Sequence, residues 1–254
     1  MIALEWRLPM PGLRTLIRGA EPIRHIQVYG MRCSGTHAII KLIEANLGRD
    51  AFTESYGFKH WSVPPQILFR PDVLVLVIAR DPAIWLRSLH KQPWHVHESL
   101  RALSFAEFIR TPWHSVWDDQ FWGVDETHPM FGTEMMHERD LDTGERFPDP
   151  VTMRTRTLAH WAGLHRRAHN LALLDYESVR TRPQAVIEAL CDATGLAGTP
   201  GGFVPLDTYK GHGIKPFVPA AYPALSEEDR DHVAARLDPA VEALFGMAEA
   251  RVSA

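Results

Sequence analysis

The residues best suited to chemistry in this sequence lie between Gly30 and His37, GMRCSGTH, where two glycines bound a turn that carries Arg32, Ser34 and Thr36. Two hydroxyls and a guanidinium in a tight glycine loop are anion-binding chemistry. The hydroxyls donate to phosphate oxygens, and the arginine keeps its charge at any physiological pH. The glycine spacing fits the first part of a nucleoside-triphosphate loop. Where that loop needs Lys and then Ser or Thr, however, this chain has Thr36 and His37. Both the lysine that reaches the terminal phosphates and the hydroxyl that holds magnesium are missing, so the expectation is a phosphate held without a metal. The plainer alternative is a strand-to-helix turn with no ligand.

A loop of this kind works only if a strand and a helix position it. His25 to Gly30 is a short apolar run, partly β-branched, and from Thr36 onward Ile39, Ile40, Ile43 and Leu47 recur at helical spacing. In that order the first-turn amides of the helix have no intrahelical partner, and the helix dipole favours negative charge in front of them. Val73 to Ala79, VLVLVIA, reads as a central parallel strand buried on both faces. Asp81 as N-cap and Pro82 at the first helical position then predict a helix through Ile84, Trp85 and Leu89. In parallel sheets ligands bind beyond the carboxyl ends of strands, which brings Arg80 to the same rim as the glycine loop. Ser88 lies about two turns into that helix, and helical side chains lean back toward its start, so Arg80 and Ser88 can share a second anion. The alternative pairs Arg80 with Asp81 or Glu54 as a structural ion pair.

Further along, residues 92–150 are rich in Trp, His, Met, Asp and Pro, with little periodicity beyond a short helix near Phe105 to Ile109. Such a segment is expected to be a substrate-binding insertion. Its tryptophans, Trp94, Trp113, Trp117 and Trp122, either wall an acceptor pocket or pack the insertion onto the domain. None of its histidines sits in a ligand motif, and no metal is expected. A helix from about Val151 to His169, a strand over Leu171 to Tyr176 and a helix ending at Gly195 follow. Residues 198–223 read as a glycine- and proline-rich loop over the site, and Ser226 with Asp229 opens a last helix carrying Val233, Leu237, Val241 and Leu244. The alternation predicts an α/β fold: one domain over 1–254, with a mainly parallel β-sheet flanked by helices and a loosely packed arm at 1–24.

The 254 residues carry a net charge of -4, with 45% hydrophobic and 23% charged residues, which is ordinary for a globular protein and gives no sign of a nucleic-acid partner. The charge is uneven. Up to Arg49 the basic residues Arg7, Arg14, Arg18, Arg24, Arg32, Lys41 and Arg49 outnumber Glu5, Glu21 and Glu44. Two cysteines, Cys33 and Cys191, make no disulfide framework, so a reducing cytoplasm is the expected home. No stretch reaches the roughly 20 apolar residues of a membrane span.

Taken together these segments carry a family likeness. The chain resembles the sulfotransferases that use 3'-phosphoadenosine 5'-phosphosulfate (PAPS). The matches are Ser34-Gly35-Thr36, the pair Lys59-His60, the run Ile78-Ala79-Arg80-Asp81-Pro82 continuing to Trp85 and Ser88, the pair Tyr176-Glu177, and Lys210-Gly211. The resemblance implies that Arg32, Cys33, Ser34, Gly35, Thr36 and His37 hold the 5'-phosphosulfate, that Arg80 and Ser88 hold the 3'-phosphate, and that Lys210-Gly211 closes over the nucleotide. It implies PAPS as donor, 3'-phosphoadenosine 5'-phosphate (PAP) as product, and a small-molecule or glycan acceptor. Many members have a lysine directly before the Ser-Gly-Thr, where this chain has Cys33, with the positive charge at Arg32.

Sulfuryl transfer needs an aligned acceptor, a base for its proton and positive charge on the departing phosphate oxygen. His60 is the first choice for the base, because imidazole titrates near neutrality, with Glu54 and His95 as alternatives. Lys59 and Arg32 are expected to stabilise the transferring group. The rival readings are a phosphate-loop nucleotide kinase or triphosphatase and a non-catalytic nucleotide-binding protein of the same fold.

Overall fold

A computed structural model describes residues 5–208 and 215–247. In chain order the strands and helices are β1 (Arg7–Met10), β2 (Leu13–Ile17), β3 (His25–Gly30), α1 (Thr36–Leu47), β4 (Phe52–Thr53), β5 (Val73–Ala79), α2 (Pro82–Lys91), α3 (Glu98–Arg101), α4 (Phe105–Phe108), α5 (Pro150–Ala162), β6 (Asn170–Asp175), α6 (Tyr176–Thr181), α7 (Pro183–Thr194), α8 (Glu227–Ala234) and α9 (Pro239–Leu244). The sheet has six strands in the order β1-β2-β6-β5-β3-β4. Strands β6, β5, β3 and β4 run parallel, and β1 and β2 are added antiparallel at the β6 edge. The fold is therefore α/β with a mostly parallel sheet, as the alternation of periods predicts.

Side chains leave a strand on alternate faces, so each central strand feeds two cores. Ile26, Val28, Leu74, Leu76 and Ile78 pack with Ile39, Ile40 and Ile43 of α1 and with Val186, Ile187 and Leu190 of α7. Tyr29, Val75, Val77, Leu171 and Leu173 pack on the other face with Trp85 and Leu86 of α2, Leu158 and Trp161 of α5, and apolar residues of segment 92–149. All seven residues of β5 are buried. Covered on both sides, that strand needs no polar face, which is why VLVLVIA is apolar throughout.

Three expectations need correction. Residues 7–17, expected within a loose arm, form the β1–β2 hairpin, with Leu13 and Leu16 buried and β2 paired to β6 from Leu13↔Leu174 to Ile17↔Asn170. Tyr176 starts a helix rather than ending a strand, because the Asp175 side chain accepts from the amides of Glu177 and Ser178 and caps α6. The last helix is two helices. Ser226 caps the first by accepting from the Asp229 amide, but Asp238 caps a new start at Pro239, so Val233 and Val241 lie on separate segments.

Candidate active site

Because β3, β5 and β6 are parallel and in register, Gly30 pairs with Ile78 and Ala79 with Asp175, and their carboxyl ends form one rim. The turn after β3, Arg80 after β5 and Tyr176 after β6 therefore meet. Gly35 caps α1 with φ +89°, in the left-handed region, and a Cβ there would lie 2.1 Å from Tyr176 Cδ2. No side chain caps this helix and its first turn has no acidic residue, so its amides point at the rim without an anion of the chain's own. Ser34 Oγ is buried and has no hydrogen-bond partner among the described residues. Cys33 takes φ +65° and turns its carbonyl to Arg80, whose Nη1 donates to it at 3.1 Å. Its thiol faces the carbonyls of Ser88 and Gln92 at 3.7 and 3.8 Å.

Arg80 lies over the Tyr176 ring, its guanidinium carbon 4.9 Å from the centroid, and 6.0 Å from that of Tyr222. Neither Asp81 nor Glu54 forms an ion pair with it among the described residues. Asp81 instead caps α2 by accepting from the Ile84 amide, as expected. Ser88 is buried one helical face inward and borders the same space as Arg80.

Arg32 is engaged within the protein itself. Its guanidinium is buried and ion-paired with Glu138, with Nη1 donating to Oε2 at 2.6 Å, and Trp113 Nε1 donates to the same oxygen at 3.0 Å. Burial pushes the Glu138 carboxyl up, but Arg32 and Trp113 outweigh it and hold the group below the ordinary carboxylate range. Arg32 thus brings its charge to the loop already neutralised by a carboxylate 106 positions away.

Lys59 is a further cation that lines the cleft beside the loop. Its backbone carbonyl accepts from the Gly30 amide at 3.0 Å, and its ammonium sits 4.7 Å from the Phe58 centroid and 3.8 Å from Glu54 Oε1. Burial lowers its pKa, Glu54 opposes this and Arg32 adds to it. This segment is strapped to β3: the Tyr56 amide donates to Gln27 Oε1 at 3.2 Å, and the Tyr29 hydroxyl donates to the Tyr56 carbonyl at 2.6 Å. His60 Nδ1 lies 2.6 Å from the Gly30 carbonyl. A carbonyl only accepts, so Nδ1 carries the proton and Nε2 the lone pair. Burial, with Arg32 and Lys59 adding repulsion, holds the His60 pKa well below its ordinary value.

Arg32, Cys33, Gly35, Thr36, His37, Lys59, His60, Arg80 and Ser88 line one cleft of about 1640 Å³, whereas Ser34 is buried and does not line it. Trp94, His95, Phe121 and Trp122 of segment 92–149, and Phe217 and Tyr222, also line it. Of the four tryptophans in that segment, Trp94 and Trp122 therefore border the cleft, whereas Trp113 is core and Trp117 packs edge-on against Trp61. Lys210 and Gly211 lie outside the described residues; the flanking Thr208 and Lys215 border the cleft. No cluster of three metal-ligating side chains occurs among the described residues, and no described helix is long and apolar enough to cross a membrane.

Sequence reasoning did not find Glu138 or Asp118, the carboxylates that partner Arg32 and His95. Both come from the segment with no periodicity, where no spacing rule assigns a partner. Compared with family models, with curated proteins and with solved structures, the chain matches none.

Proposed function

We propose that the protein transfers a sulfuryl group from PAPS to a hydroxyl or amine of an acceptor bound in the same cleft. The observation that carries this reading is that one cleft gathers two separate anion-binding arrangements. The uncapped start of α1 with Thr36 is the first, and Arg80 with Ser88 is the second. A nucleotide with phosphate groups on both its 5' and its 3' carbon asks for such a pair. The volume, about 1640 Å³, exceeds the ~300–1,000 Å³ of a site for one small ligand and suits a donor and an acceptor together.

The donor would supply a sulfur centre and a phosphate leaving group. On this reading the α1 amides and Thr36 hold the phosphosulfate, and Lys59 places positive charge where the leaving oxygen develops its own. Arg80, braced by the Cys33 carbonyl, keeps its remaining donors for the 3'-phosphate. Arg32 shapes the loop through Glu138 rather than meeting the nucleotide.

The test is calorimetric binding of PAP without metal, beside AMP and beside ATP with magnesium. PAP is expected to bind tightly without metal and AMP far more weakly. Arg80→Ala and Ser88→Ala should each weaken PAP by about 10- to 100-fold, the range of a charge-assisted hydrogen bond. Binding of ATP with magnesium alone would overturn the reading in favour of a nucleotide kinase or triphosphatase.

A further inference from the structure

From Lys215 to Ala224 every residue is exposed except Tyr222. The stretch has no helix or strand of its own, so something else must turn that one ring inward. Ties on either side do so. Before it, the Phe217 amide donates to the Asp207 carbonyl at 3.0 Å, and Thr208 bridges to Pro216. After it, Arg87 Nη2 donates to the Ala224 carbonyl at 2.8 Å, and Leu225 is buried in the same core as Leu86 and Leu89 of α2. Pro219 and Pro223 restrict the backbone between these ties, and Pro223 biases Tyr222 itself toward an extended conformation.

The ring meets Arg80. The guanidinium carbon is 6.0 Å from the Tyr222 centroid and 4.9 Å from that of Tyr176, so two rings bear on one cation. A guanidinium held by ring faces keeps its N–H donors in its own plane, where an anion can take them. The anchor of the Tyr222 segment, Arg87, directly precedes Ser88. Successive helical side chains point about 100° apart, so α2 sends Ser88 to the cleft and Arg87 to the Ala224 carbonyl. There the Arg87 guanidinium lies 3.6 Å from the Phe105 centroid, which fixes its own position. One helix thus carries Ser88 and, through Arg87, the ring that bears on Arg80.

We infer that Tyr222 is a positioning residue for the 3'-phosphate: its ring fixes Arg80 at the cleft that Ser88 also borders, and Arg87 fixes the ring. This rests on the sulfuryl-transfer reading above, which gives Arg80 and Ser88 to that phosphate. The consequence is specificity. With Arg80 held, its donors are already aimed when the nucleotide arrives, and less side-chain freedom is lost on binding. That gain goes to a nucleotide with a 3'-phosphate and is absent for one without it. Tyr222 therefore sharpens the choice of PAP over AMP while leaving the 5' end alone.

The experiment measures metal-free calorimetric Kd values for PAP and for AMP on the whole chain, as wild type, Tyr222→Leu, Tyr222→Phe, Arg87→Gln and the double variant Arg87→Gln with Tyr222→Leu. Tyr222→Leu should weaken PAP by about 3- to 10-fold, the range of a cation–ring contact, leave AMP within about 2-fold and keep the melting temperature. Tyr222→Phe retains the ring face and should restore the preference for PAP. Arg87→Gln should reproduce the loss on PAP, and the double variant should lose no more than Tyr222→Leu alone, because the tie acts through the ring. Equal losses on PAP and AMP, no loss on PAP, or a Tyr222→Phe variant as weak as Tyr222→Leu would overturn the role of Tyr222. Additive losses in the double variant would overturn that of Arg87. A wild type that binds PAP no better than AMP would instead overturn the sulfuryl-transfer reading.

Discussion

At Gly35 a single hydrogen decides whether the loop closes. The residue sits at φ +89° with the Tyr176 ring 2.1 Å from where a Cβ would be, so Gly35→Ala meets both backbone strain and a clash with an aromatic ring. The expected cost is about 2–4 kcal/mol in urea unfolding, from left-handed strain and overpacking together. Metal-free PAP binding should fall with it, because Tyr176 must move and Arg80 stacks on that ring. The need for glycine here was legible in the sequence as a spacing, but its reason was not, since Tyr176 arrives from another strand end. The same limit explains Arg32. Its charge was legible, yet its partner Glu138 lies in a stretch without periodicity, so only the folded chain shows that the guanidinium is ion-paired.

Among the elements, the turn after β3 hangs between two others. Trp85 Nε1 of α2 donates to the Arg32 carbonyl at 2.8 Å, and the Arg32 side chain reaches Glu138 in the short 3-10 turn Met136–Glu138. Removing one member of such a buried pair strands the other's charge, so Glu138→Gln should cost about 3–5 kcal/mol of stability. The joint replacement Arg32→Met with Glu138→Met is expected to recover most of that loss. Urea melts of the three variants measure the coupling directly, and a single variant as stable as the parent would mean that the pair contributes nothing. Elements with strong periodicity or a clear boundary residue were readable, as for β3, α1, β5, α2 and α7. The β1–β2 hairpin was not, because three of the four β1 residues are exposed and the alternation of Leu with Arg does not name β6 as a partner. The break between α8 and α9 was hidden by an apolar spacing that continues across it, although Asp238-Pro239 marked it.

For the whole molecule, the hairpin decides what the β6 edge meets. Strand β2 covers β6 along five residues and buries Leu13 and Leu16. Deleting residues 1–17 should leave β6 with an unpaired row of amides and carbonyls beside exposed leucines, a template for pairing between chains. Light scattering of the truncated protein is expected to show aggregation, with little soluble material at the size of the parent. A soluble truncated chain that binds PAP like the parent would show that β6 needs no cover. The same pairing sets an order of events during synthesis. The Arg18 amide bonds to Asn170, 152 positions later. At translation rates of roughly 5–20 residues per second, the hairpin emerges from the ribosome about 8–30 s before the strand it must join exists. Until then Leu13 and Leu16 have no strand to cover them.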